Sequence, residues 1–113
     1  MSSAPDPAPV PSSPAAVRIV MPHQLRTLAG INGEATVEVA APVTLRSTID
    51  ALEARFPPLT GTVRDRGSGQ RRAMIRIYAG GEDYTDASPD VPLPDVVAQG
   101  HEPLRLVGAI AGG

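Results

Sequence analysis

Apolar residues recur along this chain with two different periods, and the change of period divides it into elements. Val17-Arg18-Ile19-Val20-Met21 alternates in the manner of a strand and stops at Pro22. Thr36-Val37-Glu38-Val39 alternates again, with Val37 and Val39 sharing one face. Asn32-Gly33 supplies turn chemistry just before it, so the opening predicts a hairpin with an elaborate connection. That connection, His23 to Gly30, is expected to be a loop whose Leu25 and Leu28 tuck under a sheet edge.

After Pro42 the period becomes helical. Leu45, Ile49, Leu52 and Phe56 recur on one side, while Arg46, Asp50, Glu53 and Arg55 lie mostly on the other. Thr44 is placed to cap this segment, and Pro57-Pro58 ends it, which predicts a helix of about 12 residues. Leu59 to Val63 reads as a turn or 3₁₀ segment, and Arg64 to Arg72 as a polar, glycine-punctuated loop. Met74 to Tyr78 predicts a third strand, and Gly80-Gly81 turns the chain towards a short edge strand at Glu82-Asp83-Tyr84. Asp86 to Gly100 is proline-rich and loop-like, with Val96 and Val97 as its anchors. Leu104-Arg105-Leu106-Val107 is the last strand.

Strand, strand, helix, strand, short edge piece, strand is the order of an α+β, β-grasp (ubiquitin-like) fold. A mixed sheet of four to five strands carries one main helix on one face, and the first and last strands pair in parallel at the centre. In that arrangement Leu106 faces the helix, while Arg105 and Val107 face the other way. Residues 1–16 are almost wholly Pro, Ala and Ser and read as a disordered leader. Residues 17–107 form the domain, and 108–113 a flexible tail ending Ala111-Gly112-Gly113.

Composition narrows the chemistry. At 113 residues there is room for one domain, and with no Trp and a single Phe its core must come from Val, Ile, Leu and Ala. The absence of cysteine excludes disulfides, thiol catalysis and thiolate metal sites. All ten basic residues are arginine, so no side-chain amine is present. A net charge of −2 makes neither nucleic acid nor a membrane surface an expected partner. No stretch approaches the roughly 18 apolar residues of a membrane span, no secretory signal pattern opens the chain, and a cytoplasmic location is expected.

Few side chains are arranged for catalysis or metal binding. Asp83, Asp86, Asp90 and Asp95 lack the spacing and glycine of a calcium loop. His23 and His101 have no adjacent ligand partners. Arg64, Arg66, Arg71 and Arg72 read as a solvated loop or, alternatively, as a docking patch, but without interleaved aromatics they do not suggest nucleic acid. The end of the chain is different. Gly112 and Gly113 have no side chains to pack, and they form a thin terminus able to enter a slot that any Cβ would block.

The chain resembles the MoaD/ThiS family of ubiquitin-like sulfur carriers over about residues 17–113. Pro22 to Gly30 is similar to the family's LR-x-L-x-G stretch after its first strand. Val43-Thr44-Leu45 with Ile49, Leu52 and Phe56-Pro57 resembles its helix, and Ile75-Arg76-Ile77-Tyr78 its next strand. Gly108-Ala109-Ile110-Ala111-Gly112-Gly113 resembles the family ending, with Gly108 where proline is common. The resemblance implies a protein substrate and not a catalyst, with no bound cofactor. An adenylating, ubiquitin-activating-like enzyme would use ATP to activate the Gly113 carboxylate, sulfur would replace AMP to give a thiocarboxylate, and a sulfur-accepting synthase would receive it. Ile110, Ala111 and Gly112 would serve in tail recognition, and Arg105 and Val107 in partner docking. The alternatives are the small subunit of a molybdopterin synthase-like complex and a ubiquitin-like protein modifier.

Overall fold

The computed structural model describes residues 14–108. Nine short elements follow one another: β1 (Ala15–Val20), α1 (His23–Ala29), β2 (Ala35–Val39), α2 (Leu45–Arg55), a 3₁₀ turn (Pro57–Leu59), β3 (Ile75–Ala79), β4 (Glu82–Asp83), α3 (Asp95–Ala98) and β5 (Leu104–Gly108). The strands form one sheet in the order β2-β1-β5-β3-β4. β1 and β5 run parallel, with Ile19 opposite Leu104 and Val20 opposite Arg105, and the other pairings are antiparallel. This is the expected β-grasp arrangement, with five strands.

Alternation decides what each strand buries. Val17 and Ile19 of β1, Ala35, Val37 and Val39 of β2, Ile75, Ile77 and Ala79 of β3, and Leu104 and Leu106 of β5 all point inward. They meet Leu45, Ile49 and Leu52 of α2 in one core cluster. The helix starts where Thr44 and Ser47 cap each other. Ser47 N–H donates to Thr44 Oγ1 at 3.1 Å, and Thr44 N–H donates to Ser47 Oγ at 2.9 Å. Two of the backbone donors exposed at a strand-to-helix junction are thereby satisfied.

Four expectations need correction. His23 to Ala29 is a helix and not a loop: Pro22 precedes it, and Gly30 closes it at φ 75° with its N–H on Arg26 O and Thr27 O. Proline before and glycine after is the usual helix asymmetry, which a seven-residue length conceals from periodicity. Only Leu25 of its two leucines is buried, and Leu28 is half exposed. Likewise α3 interrupts the loop before β5, with Val97 buried and Val96 exposed. Finally, β1 takes in Ala15 and Ala16, and β5 takes in Gly108, because ladder pairing extends past the alternating apolar positions.

The turn into β5 depends on Gly100. Its φ is 82°, and a Cβ there would stand 2.9 Å from the carbonyl oxygen of Ala16. Both the left-handed backbone and the closeness of β1 therefore require glycine. Arg18 secures the same crossing, donating through Nη1 to Gly100 O and His101 O at 3.2 Å each.

Candidate functional site at the end of the central strand

β5 is the middle strand, held on both sides, and its last paired residue is Gly108, opposite Ile75. Leu104 and Leu106 anchor it inward and are essentially unexposed. Arg105 and Val107 face outward as expected, and Val107 is 41% exposed. Ile110, Ala111, Gly112 and Gly113, the remaining candidate residues, lie outside the described residues. What the fold defines is the place from which they leave.

That place is an apolar groove of about 710 Å³, lined by Val20, Pro22, His23, Met74, Val107 and Gly108 among others. Met74 is 51% exposed there, although it precedes a strand that is otherwise half buried. Sequence reasoning did not single out Met74, Val20 or Pro22. Val20 and Pro22 come from the end of β1 and just past it and Met74 from just ahead of β3, and only the pairing of both strands with β5 assembles them. An exposed Met immediately ahead of an alternating strand was the available signal. A Cβ at Gly108 would sit at an ordinary 3.8 Å from Pro22 Cβ, so this position does not demand glycine.

The outward face beside the groove is cationic. Arg76 lies opposite Val107, and Arg105 lies between Val20 on β1 and Tyr78 on β3. Both are exposed, and neither makes an ion pair among the described residues. Arg18, further from the tail, is engaged with Glu34 at 2.8 Å. The guanidinium of Arg18, by hydrogen bond first and by charge second, holds the Glu34 carboxyl below the usual range, and Arg105 adds to this.

The other sequence candidates are used within the fold. Arg64 donates to Glu53 at 3.0 Å and also pairs with Asp50, both on α2. Arg71 donates to the carbonyls of Ile75 at 2.7 Å and Thr85 at 2.8 Å. Arg72 donates to Gly61 O at 2.8 Å. The Arg64 to Arg72 segment is thus a fastened hairpin, with Asp65 N–H on Gln70 O and Asp65 Oδ2 accepting from Gly67 and Ser68. Asp90 answers Arg46 and Asp86 answers Arg71. No group of three potential metal ligands occurs among the described residues. No helix among them is long and apolar enough to cross a membrane.

Neither a protein-family model nor a curated protein sequence matches the chain. Solved structures do. Small archaeal modifier protein 1 of Haloferax volcanii is 23% identical, with a TM-score of 0.68 over 85% of this chain and 99% of that one. A chain of the Amycolatopsis orientalis BexX/CysO complex is 22% identical, with a TM-score of 0.67 over 87% of this chain and 100% of that one. Mycobacterium tuberculosis CysO is 22% identical, with a TM-score of 0.66 over 83% of this chain and 99% of that one. At these identities the likeness establishes a shared β-grasp, ubiquitin-like fold.

Proposed function

We propose that this protein is a ubiquitin-like sulfur carrier of the MoaD/ThiS type, a protein substrate whose reactive group is the Gly113 carboxylate. The observation that carries the reading is the placement of β5. A fully held central strand runs outward into an apolar groove, beside an exposed face bearing Arg76, Arg105 and Val107. The shared fold with CysO and with a modifier protein supports it.

A carboxylate is a poor electrophile, so the chemistry starts with activation by a partner. The Gly113 oxygen attacks the α-phosphorus of ATP, pyrophosphate leaves, and an acyl adenylate results. Sulfide then attacks the carbonyl carbon, AMP departs with the electron pair, and a thiocarboxylate remains. Where a persulfide attacks instead, an acyl disulfide forms first. A thiol must then cleave its S–S bond, leaving as a disulfide with the donor's sulfur, to give the same thiocarboxylate. A second enzyme accepts the sulfur. In this reading the chain binds no cofactor itself and contributes presentation only. Leu104 and Leu106 fix the strand, Arg105 and Val107 dock the partner, and Ile110 and Ala111 seat the tail. Gly112 and Gly113 pass a channel too narrow for a Cβ. From Gly108 to Gly113 six extended residues reach about 20 Å, enough to enter a buried site while the body docks outside.

The name of the Haloferax volcanii neighbour favours a second use of the same end, attachment to other proteins as a modifier. Intact mass spectrometry of the protein from cells separates the two readings. The carrier gains the mass difference of sulfur for oxygen; the modifier appears as added mass on target proteins. If neither gain occurs, or if a Gly113-deleted chain still gains sulfur, the assignment is wrong.

A further inference from the structure

Arg76 stands directly across from Val107, and Arg105 one row further back, so the cations nearest the tail's exit are both guanidinium groups. A guanidinium keeps its proton at any ordinary pH and offers no lone pair for acylation. Every other basic side chain in the 113 residues is also arginine or one of two histidines, and cysteine is absent. His23, which lines the exit groove, would form an acyl-imidazole that water returns to the acid. We infer that this protein is inert by composition towards its own activated end. No amine or thiol side chain of the body, or of a second copy, is there to capture the acyl group, and the Ser, Thr and Tyr hydroxyls, without an activating base, are weak nucleophiles. The step that consumes the activated end therefore draws its nucleophile from another molecule, and an attached copy offers no side chain on which a further copy could be built.

This inference takes its biological setting from the carrier reading, but its chemistry stands apart. In the reaction avoided, an amine lone pair attacks the Gly113 carbonyl carbon and a C–N bond forms. The bond to the leaving group breaks, AMP or a thiolate departs with the electron pair, and the amine proton passes to solvent. Lysine is neutral for roughly 0.4% of the time at pH 8, enough for capture when the acyl group is tethered beside it. Position 76 meets that condition. It is Val107's cross-strand neighbour, and the five residues beyond Gly108 span about 18 Å at most.

The test uses the 113-residue chain carrying a C-terminal α-thioester, released by thiol from an intein fusion, as wild type and as Arg76→Lys. Both are held at pH 8 and followed by intact mass and peptide mapping, with circular dichroism confirming that the folds match. The Arg76→Lys chain is expected to accumulate a product one water lighter than the free acid, linked at position 76. Its yield should exceed any side-chain-linked product of the wild type at least tenfold. In the wild type, linkage is expected at the backbone α-amine or nowhere. A side-chain link in the wild type overturns the inference, and so does an Arg76→Lys chain no more reactive than its parent. Because the thioester is made chemically, no activating enzyme is needed. A wild-type chain inert here that never gains sulfur in cells defeats the carrier reading alone.

Discussion

Arginine does opposite work in two regions of this molecule. Beside α2, Arg64 and Arg71 are tied down by carboxylates and backbone carbonyls and fasten the Arg64 to Arg72 hairpin to the body. On the outer face of the sheet, Arg76 and Arg105 stand exposed with no ion pair among the described residues. The first pair spends its donors on the fold; the second leaves them for something else. The residue type is the same in both places, and what differs is the neighbourhood that tertiary packing supplies. Structural arginines should therefore cost stability when removed, and outer-face arginines should cost partner affinity.

The largest effect lies beyond both regions. Deleting Gly113 should abolish sulfur loading outright while leaving the urea midpoint unchanged, read by intact mass and by unfolding monitored with circular dichroism. If the deletion unfolds the domain, the separation of body from tail is wrong.

Arg71→Ala should come next. It strips short, charge-assisted hydrogen bonds from the carbonyls of Ile75 and Thr85 and should destabilise by about 2 kcal/mol. Sulfur loading by an activating enzyme should persist. A neutral stability result would mean that water replaces the guanidinium without loss.

Arg105→Ala is the mirror experiment. Stability should stay within about 0.5 kcal/mol of the parent, as for surface sites without special contacts. Affinity for the activating enzyme should fall roughly tenfold, about 1.4 kcal/mol, and less so in high salt. Equal binding by both proteins would remove Arg105 from the docking face.

The smallest effect concerns acid. Hydrogen bonding to Arg18 holds Glu34 low, and hydrogen bonding to Arg46 does the same for Asp90. A carboxyl whose folded value is depressed contributes stability that is fully present above its unfolded value. That contribution is lost as pH falls through the folded value. Melting temperature should decline below about pH 4, and the paired variant Arg18→Gln with Arg46→Gln should soften that decline. An unchanged acid slope would mean that these exposed pairs contribute nothing.

Legibility from sequence followed the length of each repeating signal. The alternations at Val17 to Met21 and Thr36 to Val39, and the Leu45-Ile49-Leu52 spacing, each span several repeats, so strand and helix were readable with their buried faces. Thr44 was readable as a cap because its chemistry is local; Ser47's reciprocal bond completes it. Helix α1 was missed because seven residues hold fewer than two turns, too few for a period to declare itself. Val96 and Leu28 were misjudged for a related reason, since the two large apolar residues of each of these short elements do not by themselves say which one faces the core. In the candidate site, Arg105 and Val107 were placed correctly by the strict alternation along β5. Met74, Val20 and Pro22 were not, because they neighbour Val107 only through pairing across the sheet.

The sequence alone determined the periods, the caps, the absence of amine and thiol side chains, and the bare glycine ending, because each is a property of residues close together or of composition. Tertiary structure alone decided which strand is central, which arginines are fastened and which stand open, and that an apolar groove surrounds the exit of the tail. Those depend on contacts between segments tens of residues apart, and only burial of a common core brings such segments into register.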